Sequence, residues 1–215
     1  MKLLSIITAL LLSTSAFASN CPQLYPQGRE IAVPETIELC NSFYVIRYND
    51  TAKANIFSAE ILQPSGHTAE RLNNFHADAR TQSKATPAMY DASGFDRGHM
   101  TPAGDAIDAD TMSETFLMTN MTPQLPTVNR ISWRMLEESV RNMAVAAKHP
   151  IHVVTFAVYS ATPKFMKTVP IPSGYYKVVY LDTGIRAFYA SNTDHAVVTE
   201  TTVAAVETAI GYAIH

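Results

Sequence analysis

The sequence predicts an α+β fold, with a mainly antiparallel central sheet flanked by helices. Three observations carry this. Runs rich in aromatic and β-branched residues stand on both sides of one long amphipathic segment. Those runs do not alternate regularly with helical patterns, as a parallel βαβ sheet would require. Asp182-Thr183-Gly184 joins two of them as a hairpin turn, a connection open only to antiparallel neighbours.

Composition limits the alternatives. The chain has 215 residues, of which 47% are hydrophobic and 16% charged, which is too apolar for a disordered polymer. A mean hydropathy of 0.00 is too low for a multi-span membrane protein. A net charge of −3 argues against a protein that coats nucleic acid by bulk charge.

Residues 1–18 read as an export signal. Met1-Lys2 gives a positive start, residues 3–12 are almost wholly apolar, and Ala16-Phe17-Ala18 offers the small-x-small cleavage pattern. Cleavage near Ala18 predicts a periplasmic or secreted protein with no membrane association in its mature form. Residues 19–40 form an N-terminal arm with Pro22, Pro26 and Pro34 and little periodicity. Cys21 and Cys40 are the two cysteines of the chain, and an oxidising compartment favours a disulfide between them. Such a bridge closes a loop of about 20 residues and contributes roughly 3 kcal/mol. A catalytic thiol is the weaker reading, because neither cysteine has a histidine nearby.

Residues 41–215 read as a single domain. Strands are expected over 41–48 and 54–62, with Tyr48-Asn49-Asp50-Thr51 as the turn between them. Residues 68–94 are polar and without a clear pattern. Residues 107–114 read as loop or short helix, and 116–119 as a short strand. The clearest helix covers 132–148, where Trp133, Leu136, Val140, Met143, Ala144 and Ala147 recur at three and four residues. His149-Pro150 stops it. Strands follow over 151–159, 175–181 and 185–190, and residues 201–210 suit a closing helix.

The chemistry is concentrated in two stretches. The first is Asp96-Arg97-Gly98-His99, with Gly104-Asp105 just after. Histidine suits taking a proton near neutral pH, and an arginine fork matches two phosphate oxygens. Gly98 is expected to grant backbone geometry denied to other residues, aiming Arg97 and His99 at one point. In the second stretch, Asn129, Trp133, Glu137 and Arg141 stand four apart, so a helix would keep them near one face. An amide oxygen and a carboxylate suit a hard cation such as Mg²⁺. Arg130 and Arg134 add positive charge. Taken singly, each stretch has a plain structural reading: a satisfied histidine with Arg97 paired to Asp96, and a surface Glu137–Arg141 pair.

Together the two stretches resemble the DNA/RNA non-specific endonuclease family of the ββα-metal superfamily. Its Asp-Arg-Gly-His signature stands intact at 96–99, a match that arises by chance roughly once in a thousand chains of this length. Thr119-Asn120, Pro123-Gln124, Asn129, Trp133, Leu136-Glu137 and Arg141 follow in the family's order. In place of a Thr-Gly-Pro-like turn the chain carries Thr155-Phe156-Ala157-Val158-Tyr159. The resemblance implies a ββα-metal core and phosphodiester hydrolysis of DNA and RNA to 5′-phosphate products. It implies His99 as general base and Asn129 as the protein ligand of one hydrated Mg²⁺, with Mn²⁺ or another divalent ion able to substitute. Glu137 would hold that ion's water shell, and Arg97 and Arg141 would stabilise phosphate charge. Asn120, Gln124, Arg130 and Arg134 would orient site or substrate, and Asp96 would brace the loop.

Three other readings stand beside this one: an exported phosphatase or phosphodiesterase of small esters, a zinc hydrolase built on His149 and His152, and a non-catalytic nucleic-acid-binding module. Oligomeric state is left open.

Overall fold

The computed structural model describes residues 19–65 and 70–214. The expected export signal lies outside the described residues. Eleven strands follow in chain order among the described residues. They are β1 (Ile37–Cys40), β2 (Tyr44–Asn49), β3 (Ala54–Leu62), β4 (Asp96–His99), β5 (Met121–Gln124) and β6 (Ile151–Val158). Then come β7 (Phe165–Met166), β8 (Val169–Pro170), β9 (Gly174–Leu181), β10 (Gly184–Ser191) and β11 (Thr199–Thr201). The helices are α1 (Ala109–Thr115), α2 (Arg134–Ala147) and α3 (Val203–Ile210).

Seven strands form one antiparallel sheet in the order β1-β2-β3-β6-β9-β10-β11. β4 pairs with β5, and β7 with β8, as separate two-stranded units. The expected α+β class with a mainly antiparallel sheet is what the chain adopts.

The sheet is covered on both sides, and the period-two alternation of its strands sorts residues between two cores. Val153 and Ala157 of β6, with Leu62, Tyr175 and Val179, meet Trp133, Leu136, Val140 and Ala144 from the α2 side. Val154 and Phe156, with Phe57 and Val178, face the opposite way, toward Leu24, Tyr25 and Ile31 of the arm and Val206 of α3. This double coverage explains why β6 reads as a continuous apolar run. The Cys21–Cys40 disulfide is present and ties the arm to the end of β1.

Several boundaries move. The arm carries the edge strand β1, which escapes the hydrophobic pattern because two of its four residues are Glu38 and Cys40. Residues 116–119 form no strand. Phe116 closes α1, a 3₁₀ turn runs Met118–Asn120, and the strand follows as β5. α1 starts on a capping box in which Asp108 accepts from the Thr111 amide and Thr111 returns a bond to the Asp108 amide. α2 begins at Arg134, after a π-helical turn over Val128–Trp133. It ends when Lys148 turns left-handed, just before His149-Pro150. α3 is capped by the Thr202 side chain and stops at Gly211, whose φ of 84° suits glycine.

The bridge has a measurable consequence. Replacing Cys40 by Ala is expected to lower unfolding stability by about 2–4 kcal/mol. A urea titration reads this as a lower midpoint, and addition of reductant to the unsubstituted protein reproduces the shift.

Candidate active site

The site is built on the β4–β5 pair. Asp96 stands opposite Gln124 and Gly98 opposite Thr122. Gly98 matters for space rather than for an unusual backbone angle, which corrects the sequence expectation. A Cβ there would lie 2.4 Å from Gln124 Oε1 and 2.6 Å from Gln124 Cβ. The buried Gln124 side chain therefore packs directly on the Gly98 backbone, and any larger residue would drive β4 from β5.

His99 ends β4. Its ring meets Phe116 edge-on at 5.1 Å and Phe75 at 5.8 Å. Asn120, fully buried, fixes the chain leaving His99. Its Oδ1 accepts from the Thr101 amide, and its Nδ2 donates to the Thr101 and Thr115 carbonyls, each at 2.9 Å. Asn120 thus orients the strand from behind and does not line the cleft.

Asn129 belongs to the π-helical turn, not to α2. Its Nδ2 donates to Asp96 Oδ2 at 2.9 Å, which leaves its carbonyl oxygen to the cleft. The same Asp96 carboxylate takes both arms of Arg130, at 2.8 and 2.6 Å. Asp96 therefore pairs with Arg130, and Arg97 pairs with Asp91 at 2.9 Å. Glu137 and Arg141 form no pair with each other; Arg141 Nη1 donates to Asp105 Oδ1 at 3.0 Å.

These groups converge on one cleft of about 320 Å³. His99, Asn129 and Glu137 line it together with five arginines, Arg71, Arg97, Arg130, Arg134 and Arg141. Burial, and secondly the charge of Arg71, push the His99 imidazole down to about 3, so it is neutral with a free lone pair. Burial pushes Glu137 up from 4.5 to about 7; Lys177 and Arg141 oppose this and Asp105 adds to it.

Arg71 is the cleft residue that the sequence reading missed. Its guanidinium lies 5.1 Å from the centre of the Phe116 ring. It sits in the patternless stretch 68–94, whose described residues, from 70 onward, are held by scattered polar bonds instead of periodic packing. The His76 amide donates to the Phe116 carbonyl, and Thr119 Oγ1 donates to Asp78 Oδ2. Among the remaining histidines, His149 Nε2 bonds to Asp182 and His152 Nε2 to the Gln23 carbonyl. His67 lies outside the described residues.

The DNA/RNA non-specific endonuclease family matches residues 24–215. The chain belongs to that family. A nuclease of Nostoc sp. is 31% identical over 151 residues, covering 68% of this chain and 55% of the relative. Nuclease C1 of Cunninghamella echinulata is 31% identical over 161 residues, covering 66% and 64%. The chain thus spans between about half and two thirds of these curated relatives. Among solved structures, EndoG in the EndoG/EndoGI complex superposes with a TM-score of 0.71 at 22% identity, over 81% of this chain and 83% of that one. That likeness places the fold.

Two outcomes test the geometry. Gly98→Ala should destabilise the protein by about 1–3 kcal/mol through overpacking against Gln124, read by chemical denaturation. Glu137 in metal-free protein gives a pH signature. Its folded value near 7 exceeds the ordinary 4.5, so the folded chain keeps a proton that the unfolded chain loses. Stability is full below pH 4.5 and falls as pH rises through 7. Glu137→Gln removes that loss, so it should raise the denaturation midpoint at pH 8 but not at pH 4. The gain should be ~1–3 kcal/mol, below the full linkage value because the side chain keeps some solvent contact.

Proposed function

We propose that the protein is an exported, metal-dependent, sequence-non-specific endonuclease that hydrolyses internal phosphodiester bonds of DNA and RNA. The observation that carries this reading is the single cleft in which a neutral histidine, an unclaimed amide oxygen and a carboxylate face five arginines. A family match across residues 24–215 and relatives named as nucleases support it.

The donor set fits a hard divalent cation. Asn129 has its nitrogen occupied by Asp96, and Glu137 has no arginine of its own within the cleft. Oxygen donors of this kind suit Mg²⁺ with several waters retained, and Mn²⁺ as a substitute. Asn129 would hold the ion and Glu137 its waters. When bound, the ion supplies positive charge to offset that developing on the phosphate oxygens.

The chain's own residues do the rest. His99 borders the cleft, and its Nε2 is buried without a hydrogen-bond partner, so Nδ1 is the nitrogen assigned to the reaction. Nδ1 would take the proton of the attacking water. Arg97 and Arg141 would neutralise the phosphate in the transition state, with Arg71 beside them. The scissile bond would leave a 5′-phosphate and a 3′-hydroxyl. Phosphate contacts carry no base information, so arginine-dominated recognition accounts for non-specificity. The Cys21–Cys40 bridge suits an oxidising compartment, in line with export to the periplasm or beyond after cleavage near Ala18. No described helix is long and apolar enough to cross a membrane.

The test is incubation of the mature protein with plasmid, single-stranded DNA and RNA, with Mg²⁺ or with EDTA. All three polymers should be cut with Mg²⁺ and none with EDTA. His99→Ala should lower kcat by about 10²–10⁴ while circular dichroism stays unchanged. Cleavage that survives both EDTA and His99→Ala would overturn the assignment.

A further inference from the structure

The sheet carries a buried polar row beneath the cleft that the proposed reaction leaves unused. Ser58 on β3 pairs with Thr155 on β6, and Thr155 with Lys177 on β9. Glu60 lies two residues from Ser58 and shares its face. Lys177 is 1% exposed, Glu60 2% and Asp105 6%, so three ionisable side chains are buried here. Lys177 Nζ donates to Thr155 Oγ1 at 2.6 Å and stands 5.5 Å from the Trp133 ring. The Glu60 and Asp105 carboxyls sit close enough for the charge of Asp105 to act on Glu60, and Asp105 Oδ1 accepts from Arg141 Nη1 at 3.0 Å. A polar column thus leads from the centre of the sheet to the cleft.

Stability does not account for such a column. Buried ion pairs often contribute no more than well-packed apolar residues of the same volume. The column ends on a guanidinium that lines the cleft, and there it has a use. Gly104 adds to this: a Cβ there would lie 3.0 Å from Arg141 Nη1 and 3.4 Å from Cζ. The guanidinium therefore rests on bare Gly104 backbone while the next residue, Asp105, holds its edge. This gives the Gly104-Asp105 dipeptide, conspicuous in the sequence just after His99, a definite task.

We propose that Asp105, backed by Glu60 and Lys177 and seated beside Gly104, is the positioning residue that pre-orients Arg141 toward the scissile phosphate. A free arginine side chain samples many rotamers. Fixing one edge before substrate arrives removes much of that ordering from the reaction itself, and leaves the other edge to the phosphate. Asp105 touches no substrate; it acts through Arg141.

The proposal rests on the nuclease reading, and a thermodynamic cycle separates the two. kcat and KM are measured on DNA with saturating Mg²⁺ for the unsubstituted protein, Asp105→Ala, Arg141→Ala and the double variant. Asp105→Ala should lower kcat about tenfold with KM within twofold, and should change the Arg141→Ala background by less than twofold. Multiplicative losses in the double variant, or an unchanged kcat in Asp105→Ala, would overturn the proposal. Should Asp105→Ala fail to fold, Gly104→Ala takes its place in the cycle, because it crowds the same guanidinium and leaves the carboxylate. Side-chain NMR of Arg141 gives a readout independent of turnover. Restricted rotation about Nε–Cζ is expected in the unsubstituted protein, with averaging in Asp105→Ala and in Lys177→Met. Free rotation in the unsubstituted protein would sink the positioning role whether or not it cleaves, whereas an inactive protein with a restricted Arg141 would sink the nuclease reading alone.

Discussion

Five guanidinium groups around one cleft repel one another, and the surrounding structure is arranged to hold them there. Arg97 is tied to Asp91, Arg130 to Asp96, Arg141 to Asp105 and Arg134 to Glu138. Three of those acids flank or begin β4, the strand that ends at His99. One short segment therefore supplies His99 and most of the counter-charges that let arginines gather around it. Arg71 is held differently, by Asn73 and by the face of Phe116. Each tie occupies part of a five-donor fork and leaves donors for a ligand. The close packing of Gln124 on Gly98 underlies all this, since it sets β4 against β5 and so brings Asp96 to Asn129 and Arg130.

Burial and the charge of Arg71, which would also draw a phosphate, keep His99 unprotonated. Burial is the larger cause and Arg71 the second. A histidine near 3 has its lone pair free at every physiological pH but is a weak base while the cleft is empty. An anionic phosphate between Arg71 and His99 would offset the second cause and raise the basicity of the imidazole. Glu137 shows the converse. Burial holds it near 7, so it is only partly ionised at neutral pH until a cation arrives to favour the carboxylate. His99 and Glu137 thus both carry values set by the empty cleft, which a bound anion and cation would shift in opposite directions.

What the sequence revealed, and what it hid, follows from how each part is held. β3, β6, β9 and β10 are strands with one or two apolar faces, so the pattern of Ala54–Leu62 or Gly184–Ser191 announces them. α2 is legible for the same reason, through Leu136, Val140 and Ala144. β4 and β5 are not, because Asp96–His99 and Met121–Gln124 are held by a glycine, an amide and a few side-chain bonds, with no periodicity. His99 and Asn129 stood out through motif order, which is chemistry rather than pattern. Arg71 carries neither signal: nothing local marks it, and only the fold brings it over Phe116. The buried Lys177 and Glu60 were hidden by their own strands, where a single charged residue in an apolar run reads as a solvent-facing position.

A net charge of −3 on the whole chain sits beside a cleft with five arginines and one glutamate, and the two are compatible because fields in salt water are short-ranged. At physiological ionic strength the Debye length is about 8 Å, so a phosphate in the cleft responds to the guanidiniums and little to acids across the molecule. Outside that radius a polyanion meets a slightly repulsive surface. Attraction is thereby confined to the few phosphates that reach the arginines, which sets a low ceiling on counterion release and on affinity away from the site. For the proposed cleavage of long polymers this separation has a kinetic consequence. Cleavage divides one ligand into two ends, each holding only part of the cleft, and the acidic remainder of the surface offers neither end a second foothold.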